Sequence, residues 1–176
     1  MANFNINSFQ TRLAGDGARP NLFQVSIPSL GVDNLSFLCK AAQLPGSTLG
    51  VVEVPYFGRA LKLAGNRTFA EWTVTVINDE DFAVRDAFMR HMGRINSHEG
   101  NVAEDLFDGY TFDAEVKQYG KTGDVIKRYT MVGAWPTDVS PIELDWGSND
   151  TIEEFQVTFA YQYWKTPEED EENLNN

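Results

Sequence analysis

Few residues in this chain have the types needed for chemistry. Cys39, His91 and His98 are the entire thiol and imidazole complement of its 176 residues. One cysteine excludes an internal disulfide framework and any multi-Cys zinc site. The two histidines stand seven residues apart with Cys39 remote in sequence, so no metal pair is expected. Cys39 falls in phase with Leu35 and Phe37 and reads as a small core residue, not a nucleophile. Carboxylates are abundant, and a pair suited to glycoside hydrolysis is compatible with their number. Solvated surface charge is the simpler account of them. Asp145-Trp146-Gly147-Ser148-Asn149-Asp150 has the acidic look of a calcium loop. The sixth position of such a loop demands glycine for a sharp turn, and here it is Asp150. No G-x-S-x-G, H-E-x-x-H, C-x-x-C, phosphate-binding loop or dinucleotide fingerprint occurs. Asn34-Leu35-Ser36 and Asn66-Arg67-Thr68 fit the glycosylation sequon, but as chance matches without an export signal. The residues therefore predict no enzyme, no metal and no cofactor.

Charge narrows the classes further. Asp and Glu number 26 against 14 Lys and Arg, a net charge of −12. A protein that grips nucleic acid through its phosphates carries a basic footprint instead. Residues 165–176 hold Glu168, Glu169, Asp170, Glu171 and Glu172 against Lys165, a net −4 that leaves −8 on the body. With Leu174 as its only apolar anchor, this tail is expected to be disordered. Met1–Gln10 has neither a basic start nor an apolar run, so export is not expected. No stretch approaches the ~18 apolar residues of a membrane span, and no membrane insertion is expected.

These side chains must be held by elements legible from periodicity. Asn7–Ala14 predicts a short helix with Phe9 and Leu13 one turn apart. Leu22–Ile27 alternates and predicts a strand with one wet face, stopped by Pro28. Leu35–Lys40 repeats that pattern. Leu44–Ala64 is broken by Pro45, Gly46, Gly50, Pro55 and Gly58, and predicts an irregular hairpin or extended loop. Its apolar pieces, Leu49-Gly50-Val51-Val52 and Tyr56-Phe57, would be a liability if left exposed. The segment is expected to pack on another chain. Thr68–Ile77 predicts a strong strand. A helix over 79–97 follows, with Asn78 or Asp79 capping it and Val84, Phe88, Met92 and Ile95 forming one apolar stripe.

Ser97–Tyr110 reads as a loop. Phe112–Tyr119 and Val125–Ala134 predict a hairpin around Gly120–Asp124. Trp135-Pro136 is expected to end that strand. Val139–Trp146 predicts an extended edge segment broken by Pro141. Thr151–Trp164 predicts the longest strand, with Phe155, Val157, Phe159, Tyr161 and Tyr163 in one phase. No internal repeat occurs. The fold class is mainly β: two packed antiparallel sheets, as a sandwich or barrel, with one flanking helix. A single domain is expected over 1–164, with 1–17 as an N-terminal arm or short helix and 165–176 as the tail.

Several segments together resemble the major tail tube proteins of contractile-tailed bacteriophages. They are Ala18-Arg19-Pro20-Asn21-Leu22-Phe23-Gln24-Val25, Gly65-Asn66-Arg67-Thr68-Phe69, Trp72-Thr73-Val74-Thr75-Val76 and Asn78-Asp79-Glu80. Trp135-Pro136-Thr137, Leu144-Asp145-Trp146 with Ser148-Asn149, Phe155-Gln156-Val157 and Tyr163-Trp164 complete the set. They keep the family's order across residues 18–164.

The resemblance implies two packed sheets with a flanking helix, a fold shared with the tube protein of type VI secretion systems. It also implies six copies closing into a shared β-barrel ring, and rings stacking into a hollow tube inside a contractile sheath. Partners would then be further copies of the chain, the sheath protein, and the baseplate and tail-terminator proteins. Double-stranded DNA would pass without specific binding, and the location would be the virion tail. A ring closes when one surface meets a different surface on the next copy. Continuous strands around it remove exposed edges. Lumen candidates are the polar phases Glu71, Thr73, Asp113, Glu115, Glu154 and Gln156. Ring stacking is expected at Pro45, Gly46, Leu49, Val51, Val52, Tyr56 and Phe57. Two alternatives stay open: the tube of a DNA-free injection or secretion particle, and a small β-sandwich enzyme or ligand-binding module.

Overall fold

A computed structural model describes residues 6–13, 17–31, 35–104 and 106–167. The elements run in chain order α1 (Ile6–Arg12), β1 (Phe23–Ser26), a 3-10 turn (Pro28–Leu30), α2 (Leu35–Leu38) and β2 (Cys39–Ala42). Then come β3 (Ser47–Tyr56), β4 (Arg59–Phe69), β5 (Trp72–Ile77), α3 (Ala83–Ile95) and α4 (Phe107–Tyr110). The chain closes with β6 (Phe112–Tyr119), β7 (Val125–Val139), β8 (Glu154–Ala160) and β9 (Tyr163–Lys165). All strand pairs are antiparallel.

One strand organises the rest. β7 is 15 residues long and serves two half-sheets. Its first half lies between β6 and β9, with β1 beyond β6. Its second half pairs β8, with β5 and β2 beyond. The bend between the halves sits at Gly133, whose φ is +61°. The positive dihedral favours glycine, and a Cβ there would also lie 3.1 Å from the Gln162 side chain, a tight contact that this side chain would have to relieve. The Gly133 N–H donates to the Asp113 carboxylate at 3.2 Å, which secures the bend from the neighbouring strand.

The buried phases of both halves meet in one core. Val25, Ala114, Val116 and Met131 come from the first half; Trp72, Val74, Val76, Phe155, Val157 and Phe159 come from the second. Phe159 is central, with ring centroids 5.2 Å from Trp72, 5.7 Å from Phe88 and 6.1 Å from Phe112. Burying each such side chain contributes about 1.5–3 kcal/mol. α3 seals one flank with Val84, Ala87 and Phe88 buried. Arg85 ties the helix down, donating from Nη1 to the Ser140 carbonyl at 3.0 Å with its guanidinium over the Phe155 ring. The seam between β1 and β2 is bridged by α2, with Leu35 buried, and not by a strand ladder. The sheet is therefore not a closed barrel within one chain.

The structure corrects several expectations. Leu35–Leu38 is helical, so strand phase does not hold there: Leu35 is buried, Phe37 is exposed and Cys39 is half-buried. The 44–64 segment forms two regular ladder strands with a bulge at Gly50. Thr68–Ile77 is interrupted at Ala70 and Glu71, where the chain leaves the β3–β4 hairpin for the main sheet. Neither Asn78 nor Asp79 caps helix α3: its N-cap is Phe82, at φ +54° and without a side-chain cap, and the Asp81 carboxylate just before it accepts the Ala83 N–H at 2.9 Å. β7 continues through Trp135-Pro136, and residues 140–153 carry no strand. Thr151–Trp164 is two strands, β8 and β9, separated where the chain crosses the β7 bend. Phe9 and Leu13 are exposed in the single chain. Lys165 belongs to β9 and Thr166 is buried. Gly15-Asp16 and residues 168–176 of the tail lie outside the described residues.

Candidate functional site

The groups suited to chemistry are placed for structure. The Cys39 Sγ lies 3.5 Å from the Ala41 carbonyl, and burial pushes its thiol up to about 12 from 9.0. Such a thiol is not a nucleophile at neutral pH. His91 Nε2 donates to the Tyr110 carbonyl at 2.7 Å, and its ring packs edge-on against Phe112. Among the described residues, no group of three or more His, Cys, Asp or Glu side chains could hold a metal ion. Asp145 is a turn residue, accepting the Gly147 N–H at 3.0 Å. The Asp79 carboxyl is raised from its ordinary value by desolvation, reinforced by the nearby Asp81.

The notable feature is the β3–β4 hairpin. Strand pairing continues to a two-residue turn at Phe57-Gly58, closed by Tyr56 opposite Arg59. Both turn residues have positive φ, 41° and 81°, as a type I′ turn requires. A phenylalanine there costs about 1–2 kcal/mol of backbone strain. Phe57, 93% exposed, stands at the tip with its ring edge-on to Tyr56.

Register sorts the hairpin into two faces. Val52 faces Leu63, Val54 faces Leu61 and Tyr56 faces Arg59 on one side. Val51 faces Ala64, Glu53 faces Lys62 and Pro55 faces Ala60 on the other, with Glu53 and Lys62 3.5 Å apart. Apart from Arg59 beside the turn, the first side is apolar, yet Val52, Val54, Tyr56, Leu61 and Leu63 are 43 to 70% exposed. An isolated two-stranded ribbon is marginal in water, and this one carries an uncovered apolar face.

The expected stacking residues therefore divide. Val52 and Tyr56 lie on the apolar face, Val51 on the mixed face and Phe57 at the tip. Leu49 precedes the bulge, and Pro45 and Gly46 lie at the hairpin base, where the Trp164 indole donates to the Gly46 carbonyl at 3.3 Å. Val54, Leu61 and Leu63 were missed by sequence reasoning. Alternation from Val52 to Tyr56 would have found Val54, but β4 needed the register.

The lumen candidates also divide. Thr73, Gln156 and Glu154 occupy the polar phase of β5 and β8, alongside Thr75 and Thr158. The Thr73 and Thr158 hydroxyls are 3.3 Å apart, and Glu154 pairs with Lys40 of β2. Asp113 and Glu115 occupy the polar phase of β6. There Glu115 pairs with Lys117 at 3.0 Å and aligns across the strands with Ser26, Thr130 and, beyond, Lys165. Lys117 aligns with Arg128. Both buried phases point into one core, so the two polar faces point away from each other. Glu71 sits exposed in the break between β4 and β5, on neither ladder.

A third surface was not foreseen. Residues 141–153 form an irregular loop that exposes Leu144, Trp146 and Ile152, with the Trp146 side chain fully in solvent.

Comparison with known proteins places this geometry. Residues 4–167 match the phage tail tube protein family. The chain is 39% identical over 153 residues to tail tube protein gp19 of Enterobacteria phage T4, covering 86% of this chain and 93% of that protein. It is 27% identical over 165 residues to a tail tube protein of Serratia phage KSP90, covering 89% and 93%. A chain in the anti-feeding prophage baseplate superposes with a TM-score of 0.61 at 17% identity, over 85% of this chain and 94% of that one. A chain in the sheath–tube complex of the PVC extracellular contractile injection system gives 0.56 at 15% identity, over 93% and 99%. These two share the fold.

Proposed function

The chain belongs to the phage tail tube protein family, and from that premise we propose how its surfaces build and line the tube. It is a structural tail tube protein of the contractile-phage type, located in the virion tail. Copies close into hexameric rings, rings stack through the β3–β4 hairpin, and the central channel conducts double-stranded DNA to the host. The observation that carries this reading is the uncovered apolar face of Val52, Val54, Tyr56, Leu61 and Leu63. A ribbon of that kind is built for burial against another copy. Sheath protein outside and baseplate and terminator proteins at the ends are the further partners. The fold neighbours found in baseplate and sheath–tube assemblies support that set.

The channel face follows from charge. Double-stranded DNA carries about one charge per 1.7 Å. The β1–β6–β7–β9 face carries Lys117, Arg128 and Lys165 against Asp113 and Glu115, a net +1 with Lys117 paired to Glu115, and would hold the strand more tightly than a neutral face. The β2–β5–β8 face offers Thr73, Thr75, Gln156 and Thr158, with Lys40 neutralised by Glu154. We therefore assign Thr73, Glu154 and Gln156 to the channel, and turn Asp113 and Glu115 away from it. The DNA-free alternative shares the fold at 15–17% identity, whereas the relatives at 39% are phage tail proteins.

Negative-stain electron microscopy of the concentrated protein tests this reading. Rings or tubes with a central hole are expected, and Val52→Glu should leave rings that do not stack. Monomers alone, with and without preformed tail baseplates as a nucleus, would overturn it.

A further inference from the structure

The hairpin needs a seat on the next copy, and the strand register shows where the chain offers one. β4 runs into β5 through only Ala70 and Glu71, so the hairpin leaves the main sheet at the Trp72 end. Its base is fixed there, with the Trp72 indole donating to the Gln43 carbonyl at 2.8 Å and Phe69 packed on Tyr161. The 141–153 loop meets the same strands at their other end. Asn78 N–H donates to the Glu153 carbonyl at 2.9 Å, Ser140 N–H donates to the Gln156 carbonyl at 2.9 Å, and Ile77 pairs with Glu154. The six residues of β5 separate the two features by roughly 17 Å at about 3.3 Å per residue.

The two surfaces are complementary in chemistry. The hairpin, residues 47–69, carries Arg59, Lys62 and Arg67 against Glu53, a net +2, around its apolar face. The loop, residues 141–153, carries Glu143, Asp145, Asp150 and Glu153 with no Lys or Arg, a net −4, around Leu144, Trp146 and Ile152. An open groove of about 490 Å³ lies among these residues. An exposed tryptophan ringed by charge is the composition of an interface anchor. Opposite charges at opposite ends of one chain suit a head-to-tail contact, which propagates along an axis wherever its rotation does not close a ring.

We propose that the 141–153 loop of one copy is the seat for the β3–β4 hairpin of the next copy along the tube axis, with Trp146 as its apolar anchor. The proposal rests on the stacking reading and adds the receiving surface and the direction of the stack.

Three variants of the full-length chain test it. Trp146→Ala removes a side chain with no role in the monomer core and should raise the critical concentration for tubes about tenfold or more. Arg59→Glu and Glu143→Arg should each do the same, and the double variant should recover, because like charges repel across an interface and the swap restores attraction. A Phe57→Cys, Trp146→Cys double variant should give a disulfide-linked ladder from assembled tubes under mild oxidant, and neither single variant should. Tubes that form from all variants at the unmodified chain's concentration, with no ladder, would overturn the seat while leaving stacking intact. Failure of the unmodified chain to form any tube would overturn the stacking reading, and the seat with it.

Discussion

Gly65 lies against the backbone of Gly50 across the hairpin: a Cβ on residue 65 would stand 3.0 Å from the Gly50 carbonyl carbon and 3.1 Å from its oxygen. Contacts that close are tighter than nearly all real Cβ contacts and the neighbour is backbone, so the strands would have to give by a few tenths of an ångström. The bulge between Leu49 and Val51 depends on this approach. Gly65→Val should therefore distort the hairpin but spare the core, to which the hairpin contributes no buried residue. The expected result is a melting temperature within about 2 °C of the unmodified chain, with tubes lost in electron micrographs. A large drop in melting temperature would show that the hairpin supports the monomer.

Phe159 gives the opposite pattern. It is fully buried and touches Trp72, Phe88 and Phe112. Phe159→Ala should cost about 3–5 kcal/mol, a large share of a domain's stability. Urea unfolding monitored by tryptophan fluorescence should show the midpoint falling with the slope unchanged.

Cys39 predicts protection of a thiol. Its pKa is raised by burial to about 12 from 9.0, roughly a thousandfold less thiolate at pH 8. Alkylation in the native state should be about a hundredfold slower, or more, than in 6 M guanidinium. The linkage sign follows. The neutral thiol is the form the fold accepts, so stability from this group is full below pH 9 and is lost as pH rises toward 12. Equal labelling rates in both states would contradict the burial.

The channel assignment predicts a gain of grip. Thr158→Lys with Gln156→Lys adds cations to the β2–β5–β8 face. Tubes of this variant should retain double-stranded DNA with an affinity that falls steeply with salt, about 0.9 log units per log unit of salt for each phosphate contacted. Glu115→Lys on the opposite face should add no retention inside the tube. The reverse outcome would exchange the two faces.

Much of the fold is legible in the sequence because alternation is local. Val74 and Val76, Val116, and Phe155, Val157 and Phe159 are buried as their period-two patterns require, and Val84 and Phe88 as the helical stripe requires. The same rule failed at Leu35–Lys40, where four residues at alternating spacing turn into a helix that bridges the open seam. It also failed at Thr151–Trp164, where one unbroken pattern hides the passage across the β7 bend. Glycine and proline made residues 44–64 look irregular. Yet Gly50 and Gly65 serve a single bulge, and Pro55 pairs with Ala60 near the hairpin end.

What the sequence determined by itself is the strands around Trp72–Ile77, Phe112–Tyr119 and Phe155–Phe159 with the phase each one buries, the main helix and the family resemblance. Each depends on residue type and on spacing within a few positions. Only the tertiary structure decided which polar phases share a face. Thr73 and Gln156 lie together, and Asp113 and Glu115 lie on the far side of the core, because antiparallel register and the Gly133 bend are set by partners distant in sequence. Only register brought Leu61 and Leu63 beside Val54 and Val52. Only the shared strands placed the 141–153 loop at the opposite end of β5 from the base of the hairpin. Hydrogen bonding between strands is a non-local choice, and it determines whether an apolar residue is core or contact surface.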